Sequence, residues 1–185
     1  MSSNQRGMAF IDYDNIAIPA KNFFSIQFLD FNTLRNILLN NYRGVGCTVY
    51  LPYKMRNLLG PIQRSGLDCE VVNPRKSVDG RLILDAIIEA EANSYDTAII
   101  ASGDKDYVRL VNTLKRKNKD VIIASFSQNL SHALRSIADG IIDLDTHTPT
   151  LSTQLYTHTC SSCGNSFQLP FRFRGPNPLC NNCRP

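Results

Sequence analysis

The stretch YDTAIIASGDKDY, residues 95–107, gives the strongest indication of the fold. Thr97 to Ala101 form a short apolar run without polar alternation, and such a run predicts a buried parallel strand. Gly103 permits a sharp turn after this strand, and Asp104 and Asp106 lie in that turn. Ligands of open α/β sheets bind beyond the carboxyl ends of the strands. The turn is therefore a candidate binding site.

The two carboxylates of this turn repel each other, so their proximity needs an explanation. A divalent cation is one explanation, because carboxylate, carbonyl and water oxygens suit Mg²⁺ and Mn²⁺. The other is a solvated turn in which Asp104 caps the helix that follows. A second apolar strand that ends in the same way, Met8 to Ile11 followed by Asp12, favours the cation.

Strands and helices are predicted to alternate through the first 145 residues. Short apolar runs lie at 8–11, 47–51, 67–72, 97–101, 121–125 and 140–144, and helical patterns at 31–38, 54–65, 77–94, 107–117 and 129–138. The segment 77–94 has so broad an apolar face that we expect a largely buried helix. Pro19 argues against a helix over 16–27, which we interpret as an irregular loop. This order predicts an α/β fold with a parallel sheet and right-handed crossovers.

Length and composition fit one α/β domain with a small appendage. We assign residues 1–145 to the domain, 146–159 to a threonine-rich linker, and 160–185 to a tail too short for a core of its own. No apolar stretch approaches the roughly 18 residues that cross a bilayer, and the N-terminus lacks the pattern of a secretory signal. We therefore expect a cytoplasmic protein without membrane contact, whose six cysteines stay reduced.

The acids at the strand ends predict one acidic cluster. If the strands that end at Asp12 and Asp104 are neighbours, both carboxylates meet at one edge of the sheet. Asp79 can join them from the start of a helix and Asp106 from the turn, and Asn15 could orient a water or a phosphate. Carboxylates so close together destabilise each other unless cations are bound. With Mg²⁺ or Mn²⁺ they form a site for phosphodiester hydrolysis, because the metal generates the hydroxide and screens the phosphate.

Three motifs, AFIDYDN, K-x-x-D-G-R-L-I-L-D at 76–85 and ASGDKDY, occur in an order that resembles the NYN domain of the PIN-like nuclease group over residues 7–145. The resemblance implies a three-layer α/β/α sandwich and a metal-dependent ribonuclease. Matched residue by residue, it implies an active-site set of Asp12, Asn15, Asp79, Asp104 and Asp106. It also implies that Lys76, Asp85 and Ser102 support this set, although Asp85 would serve equally as a structural acid paired with a base. Because a fold does not settle catalysis, a non-catalytic RNA-binding or regulatory module and a DNA-directed nuclease stay open as alternatives.

Four of the six cysteines form two pairs near the C-terminus. Cys160-x₂-Cys163 and Cys180-x₂-Cys183 are separated by sixteen residues. This spacing is typical of a four-cysteine zinc site and resembles a zinc ribbon. Two disulfides or free thiols are the alternative. Because four sulfurs close the coordination of zinc, the site is expected to be structural rather than catalytic.

Basic side chains are candidates for RNA contacts. From Leu151 onward the chain has three arginines and no acidic residue. The alternation FRFR at 171–174 suits single-stranded RNA through stacking and phosphate contact, or else its phenylalanines fill the core of the ribbon. The candidate nucleic-acid-binding residues are Lys105, Arg109, Lys115, Arg116, Lys117, Arg172 and Arg174. We expect RNA as the partner and leave protein partners and homo-oligomers open.

Overall fold

The computed structural model describes residues 4–153, 156–169, 178–180 and 182–183. The chain divides into two compact units, Met1–Leu151 and Ser152–Pro185. In the first unit, six parallel strands form one sheet in the order β3-β2-β1-β4-β5-β6. The strands are β1 Arg6–Asp12, β2 Arg43–Pro52, β3 Asp68–Val72, β4 Thr97–Ala101, β5 Asp120–Ser125 and β6 Gly140–Asp143. The predicted parallel α/β fold is confirmed.

Helices cover both faces of the sheet. They are α1 Tyr13–Phe24, α2 Phe31–Leu39, α3 Leu59–Arg64, α4 Val78–Glu91, α5 Val108–Arg116, α6 His132–Ile137 and α7 Thr148–Leu151, with 3-10 helices at Tyr53–Leu58, Lys105–Tyr107 and Leu144–His147. On one face, Leu34 of α2 and Ile62 of α3 pack in a common core. On the other face, Leu82 of α4 and Leu110 of α5 do the same. The three-layer α/β/α sandwich is therefore also confirmed.

The strand order reverses between β1 and β4. From β1 the sheet grows outward through β2 to β3, and the chain then returns to place β4 on the other side of β1, with Ile11 opposite Ala101. Such a reversal leaves a crevice beyond the carboxyl ends of the two central strands. Asp12 ends β1 and Ser102 follows β4 directly, so both lie at this crevice.

The first helix corrects the expectation of an irregular loop over 16–27. α1 continues through Pro19, whose missing N–H would otherwise pair with the backbone oxygen of Asn15. The Nδ2 of Asn129 donates a hydrogen bond to that oxygen at 3.3 Å, so the oxygen keeps a partner. A residue 114 positions away therefore supports a helix that the local sequence disfavours.

The helix α4 is more exposed than its sequence suggested. Its inner side buries Leu82 and Ala86, but Leu84 and Ile88 are 50% and 51% exposed. These two residues lie four positions apart, about one helical turn, so they share an outer side of the helix. One side of α4 is therefore buried, and the other side exposes apolar residues to solvent. The expectation of a largely buried helix is wrong.

The second unit is small and begins before the residue at which we expected it. β7 Tyr156–Thr159 pairs antiparallel with β8 Ser166–Leu169. The first unit ends with α7, whose Leu151 is buried in the core of the α/β sandwich. The predicted linker, 146–159, thus contains regular structure at both ends. Within the part of the chain that the structure describes, no helix has the length and apolar character needed to cross a membrane.

Candidate active site

Asp12 is a buried carboxylate held by several donors. It is 2% exposed and caps the N-terminus of α1. Its Oδ1 accepts a hydrogen bond from the backbone N–H of Asn15 at 3.3 Å, and its Oδ2 accepts one from Asn15 Nδ2 at 2.8 Å. The hydroxyl of Tyr107 also donates to Oδ2, at 2.7 Å. Asn15, which we expected to orient a water or a phosphate, orients Asp12 in this structure.

Tyr107 connects Asp12 with Asp79. Its hydroxyl oxygen lies 2.7 Å from Asp12 Oδ2 and 3.0 Å from Asp79 Oδ1, and its side chain is completely buried. A phenol has a single proton to donate, so it cannot satisfy both carboxylates at once. Burial, and then the charges and hydrogen bonds of the two carboxylates, raise the pKa of the hydroxyl, which therefore stays protonated. Tyr107 is not among the predicted site residues, although it directly follows Asp106 in the motif ASGDKDY.

Asp79 lies in the first turn of α4, which Ser77 caps. Partial burial raises the pKa of Asp79, and the hydrogen bond and charge of Asp12 and the charge of Asp104 raise it further. The hydrogen bond from Tyr107 acts in the opposite direction. A bound cation would offset the repulsion between these carboxylates and so lower the pKa of Asp79 again. Asp12, Asp79 and Asp104 therefore form one electrostatically coupled acidic cluster.

Asp104 follows β4 and is positioned by its neighbours. The buried Ser102 Oγ accepts a hydrogen bond from the Asp104 N–H at 3.2 Å. Asp104 Oδ1 accepts one from the Asp106 N–H at 3.0 Å and so caps the 3-10 helix Lys105–Tyr107. Asp104 thus caps this helix and also lies near other acids, so the two interpretations of the turn do not exclude each other. Asp106 itself is exposed, and the contact that the structure gives it with the cluster is made by its backbone.

Gly103 is needed for close packing behind this turn. A Cβ at this position would lie 2.2 Å from the backbone oxygen of Asn129. The Gly103 oxygen accepts a hydrogen bond from the Ser131 N–H at 2.9 Å, which holds the two segments together. The left-handed φ values of glycine occur elsewhere in the described chain, at Gly66 and Gly164. The close approach, rather than an unusual turn conformation, therefore requires glycine at 103.

Two residues that the resemblance implied as supporting the site lie in different surroundings. Asp85 pairs with Arg81, whose Nε lies 3.0 Å from its Oδ2, and the hydroxyl of Tyr50 donates to the same oxygen at 3.1 Å. Asp85 is thus paired with a base, which is compatible with the structural alternative that the sequence left open. Lys76 is exposed in the turn before α4, at the carboxyl edge of the sheet.

The basic end of α5 is remote from the acidic cluster. Because α5 begins at the carboxyl edge, it runs back to the amino edge, where β5 starts at Asp120. There Lys115 Nζ lies 2.7 Å from Asp139 Oδ1, and Lys117 pairs with Glu91. These ion pairs engage both lysines within the protein, and the predicted contribution of this end, contacts to nucleotides that flank the site, remains a proposal.

The other predicted RNA contacts have separate positions. Arg116 lies at the same amino edge, and its Nη2 donates to Thr113 Oγ1 at 2.9 Å. Lys105 and Arg109 are exposed at the start of the helix, on the side of the acids. Arg172 and Arg174 lie outside the described residues.

The four cysteines of the second unit come together. The Sγ atoms of Cys160, Cys163, Cys180 and Cys183 all lie within 4.8 Å of one another. Those of Cys163 and Cys180 are 3.7 Å apart, and tetrahedral zinc with bonds of about 2.3 Å places its sulfurs roughly 3.8 Å apart. Backbone N–H groups, above all that of Cys180, lower the pKa of the Cys160 thiol to about 6. The group can therefore hold a metal ion such as zinc.

Comparison with known proteins identifies the family. The family model of the NYN domain matches residues 6–145, which comprise the sheet and the acidic cluster. The chain belongs to the NYN family. The crystal structure of a protein of unknown function from Vibrio parahaemolyticus has a similar fold, with a TM-score of 0.68, 20% sequence identity, and coverage of 78% of this chain and 96% of that chain. No curated protein matches the sequence.

The NYN domain implies a nuclease-like superfamily. In this NYN domain the donor set of the crevice fits a hard divalent cation, because it consists of carboxylate oxygens. Among the described residues, only the cysteines form a group of three or more candidate ligands with all donor atoms within 4.8 Å. The acids of the crevice are more widely spaced than the four cysteines.

Proposed function

We propose that this NYN domain is a metal-dependent endoribonuclease that hydrolyses RNA phosphodiester bonds at the cluster of Asp12, Asp79 and Asp104. The observation that carries the proposal is the meeting of Asp12 and Asp79 at the buried hydroxyl of Tyr107, at the point where the strand order reverses. When bound there, Mg²⁺ or Mn²⁺ would activate a water molecule and screen the charge of the phosphate.

The residues of the cluster have different tasks in this proposal. Asp79 and Asp104 are partly exposed and would bind the cation directly. Asp12 is fixed by Asn15 and Tyr107 and supplies a negative charge whose position does not change. Asp106 is exposed, and its backbone N–H orients Asp104. Charges that are already oriented in the folded protein need no reorganisation when the substrate arrives.

Cleavage assays with one matched control test the proposal. Labelled RNA and DNA, single- and double-stranded, are incubated with the intact chain and Mg²⁺ or Mn²⁺, beside Asp104→Asn and Asp68→Asn. Asp68 is exposed at the amino end of β3, so its change alters charge equally without touching the cluster. We expect cleavage of RNA by the intact chain and Asp68→Asn, and a loss of at least roughly 100-fold for Asp104→Asn. Equal activity of both variants would refute the role of the cluster, and cleavage confined to DNA would refute the substrate.

A second candidate is a non-catalytic RNA-binding module. It is favoured by the donors around Asp12, which leave this acid paired within the protein and thus able to serve structure alone. The same assay separates the two functions. Binding of RNA without cleavage in either metal, with Asp104→Asn binding as the intact chain does, would establish the module.

We also propose that the four cysteines hold a structural zinc ion. The sulfur spacing and the lowered pKa of the Cys160 thiol support this proposal. All four positions would be filled by sulfur, so the ion would stabilise the second unit without taking part in hydrolysis. The predicted contribution of Arg172 and Arg174 to RNA binding remains a proposal for this unit.

A further inference from the structure

A 3-10 helix at the end of β2 presents an aromatic ring to solvent. In the helix Tyr53–Leu58, Met55 and Leu58 pack against the core of the sandwich. Tyr53, by contrast, keeps 46% of its surface exposed. Because the helix is anchored by its inner side chains, the ring is held at a defined place on the surface.

Arg56 is stacked on this ring. Its guanidinium carbon lies 4.6 Å from the centroid of the Tyr53 ring, and its Nη1 donates a hydrogen bond to the Tyr53 backbone oxygen at 3.4 Å. The stacked guanidinium limits the rotation of both side chains and places a positive charge beside the aromatic surface. An aromatic ring combined with arginine is typical of sites for single-stranded nucleic acids, where bases stack on the ring and cations contact the backbone.

The helix Tyr53–Leu58 lies next to the acidic cluster. Tyr50 is the partner of Asp12 in the sheet register, and Tyr53 follows three residues later, roughly 10 Å further at the rise of a strand. Lys54 Nζ forms an ion pair with Asp14 Oδ2 at 3.0 Å, which ties the helix to the first turn of α1. A base on Tyr53 would thus belong to a nucleotide close to the phosphate at the cluster.

The surroundings of Tyr53 carry positive charge. The helix Tyr53–Leu58 contains two basic residues and no acidic one, and of the two Lys54 is paired with Asp14. Arg75 and Lys76 are exposed beyond the end of the neighbouring strand β3. These charges lie at the carboxyl edge of the sheet, where the ion-paired end of α5 does not reach.

Other exposed apolar side chains lack this combination. Leu84 and Ile88 on α4 are aliphatic and offer no ring on which a base could stack. Phe23 is 49% exposed, but it lies in the last turn of α1, roughly 15 Å from the start of that helix at the acids.

We propose that Tyr53 is a stacking platform for an unpaired base of single-stranded RNA next to the bond that is cleaved, with Arg56 contacting a flanking phosphate. The inference rests on the proposed function, because it places the substrate at the same site. It also makes the enzyme selective for single strands, since a base within a duplex is already stacked and cannot reach the ring.

The test measures binding separately from cleavage. All binding variants carry Asp104→Asn, so that the RNA stays intact, and the probe is a fluorescein-labelled 12-nucleotide RNA, single-stranded or annealed to its complement. Tyr53→Ala removes the ring, Tyr53→Phe keeps it, and Phe23→Ala removes an equally exposed aromatic elsewhere. We expect Tyr53→Ala to weaken the affinity for the single strand about 5- to 100-fold. Tyr53→Phe and Phe23→Ala should bind the single strand within about twofold of the parent, and Tyr53→Ala should bind the duplex within about twofold of the parent.

Salt dependence identifies the kind of contact. Tyr53→Ala should leave the slope of log affinity against log salt unchanged, whereas Arg56→Ala should reduce it by about 0.7, as expected for one phosphate contact on a single strand. Circular dichroism confirms that each variant is folded. The inference is overturned if Tyr53→Ala binds single strands as the parent does, if Tyr53→Phe loses as much as Tyr53→Ala, or if the parent binds no RNA.

The failure of this inference differs from that of the proposed function. If the intact chain cleaves RNA and Tyr53→Ala cleaves it at the same rate at limiting RNA, the stacking platform is refuted but the nuclease activity is not. Tight, Tyr53-dependent binding without any cleavage refutes the nuclease but not the platform. Capture of a protein partner through Tyr53, with no RNA affinity, would assign this surface to protein binding and refute the platform.

Discussion

The replacement Tyr107→Phe tests how the acidic cluster is held together. The change removes one oxygen from a completely buried ring and leaves the shape of the ring unchanged. That oxygen is within hydrogen-bond distance of Asp12 Oδ2 and Asp79 Oδ1, at 2.7 and 3.0 Å. Asp12 would keep its bonds from Asn15, but the cluster would lose the donor that joins its two sides.

The expected loss follows from the charge of the acceptors. A hydrogen bond to a charged group contributes about 1.5–3 kcal/mol, against about 0.5–1.5 kcal/mol for a neutral pair. Tyr95 is the matched control, because it is equally buried and its hydroxyl donates to the neutral backbone oxygen of Ala86 at 2.7 Å. For a chain of this size, these energies lower the melting temperature by roughly 3–12 °C for Tyr107→Phe and 1–6 °C for Tyr95→Phe.

Urea unfolding followed by far-ultraviolet circular dichroism measures both variants under identical conditions without added divalent cations. We expect the free energy of unfolding to fall by about 1–2 kcal/mol more for Tyr107→Phe than for Tyr95→Phe. A loss for Tyr107→Phe that is equal to or smaller than the loss for Tyr95→Phe would refute the reasoning, because the carboxylates would then gain nothing from the shared hydroxyl.

Three further predictions concern zinc, pH and packing. Removal of zinc by a chelator, or Cys160→Ser, should unfold the second unit and leave the α/β unit folded in limited proteolysis; native mass spectrometry that finds no zinc in reducing buffer would contradict this. Arg6 holds the pKa of Asp96 at about 2, below the ordinary 3.8. The pair therefore stabilises the folded protein fully at pH values above 3.8, and this stabilisation is lost as the pH falls through 2. Asp96→Asn should accordingly be less stable at neutral pH, with a difference that vanishes below pH 2, and a carboxyl titration by NMR that gives an ordinary pKa would disprove it. Gly103→Ala should destabilise by roughly 1–3 kcal/mol, because its Cβ would meet a backbone oxygen at 2.2 Å, whereas Gly60→Ala, whose nearest neighbour is the flexible end of Arg64, should have little effect in the same unfolding assay.

The sheet and its acidic ends could be predicted because their signals are local. Apolar runs that end in Asp12 or Ser102–Asp104 specify buried strands and the edge at which their polar residues emerge. The position of the basic end of α5 also followed from topology, since a helix between two parallel strands must return to the amino edge.

The remaining features depend on contacts between distant parts of the chain. Pro19 disfavours a helix locally, and only the Nδ2 of Asn129 shows why α1 tolerates it. Likewise, nothing near Tyr107 in the sequence shows that its hydroxyl reaches Asp12 and Asp79. Local patterns indicate which polar groups lie at an edge of the sheet, but not which of them bind each other.

The hydrogen bond between Tyr107 and Asp12 joins residues that are 95 positions apart. Asp12 belongs to β1, the first strand to be synthesised, and Tyr107 follows β4, the fourth. During synthesis on the ribosome, a chain that has not yet exposed β4 and Tyr107 holds Asp12 without this donor and without Asp104. Pairing of β4 with β1 closes a long loop, which is a slow step in folding. The acidic cluster is therefore complete only after most of the α/β unit has been translated, and a shorter growing chain holds Asp12 without its partners.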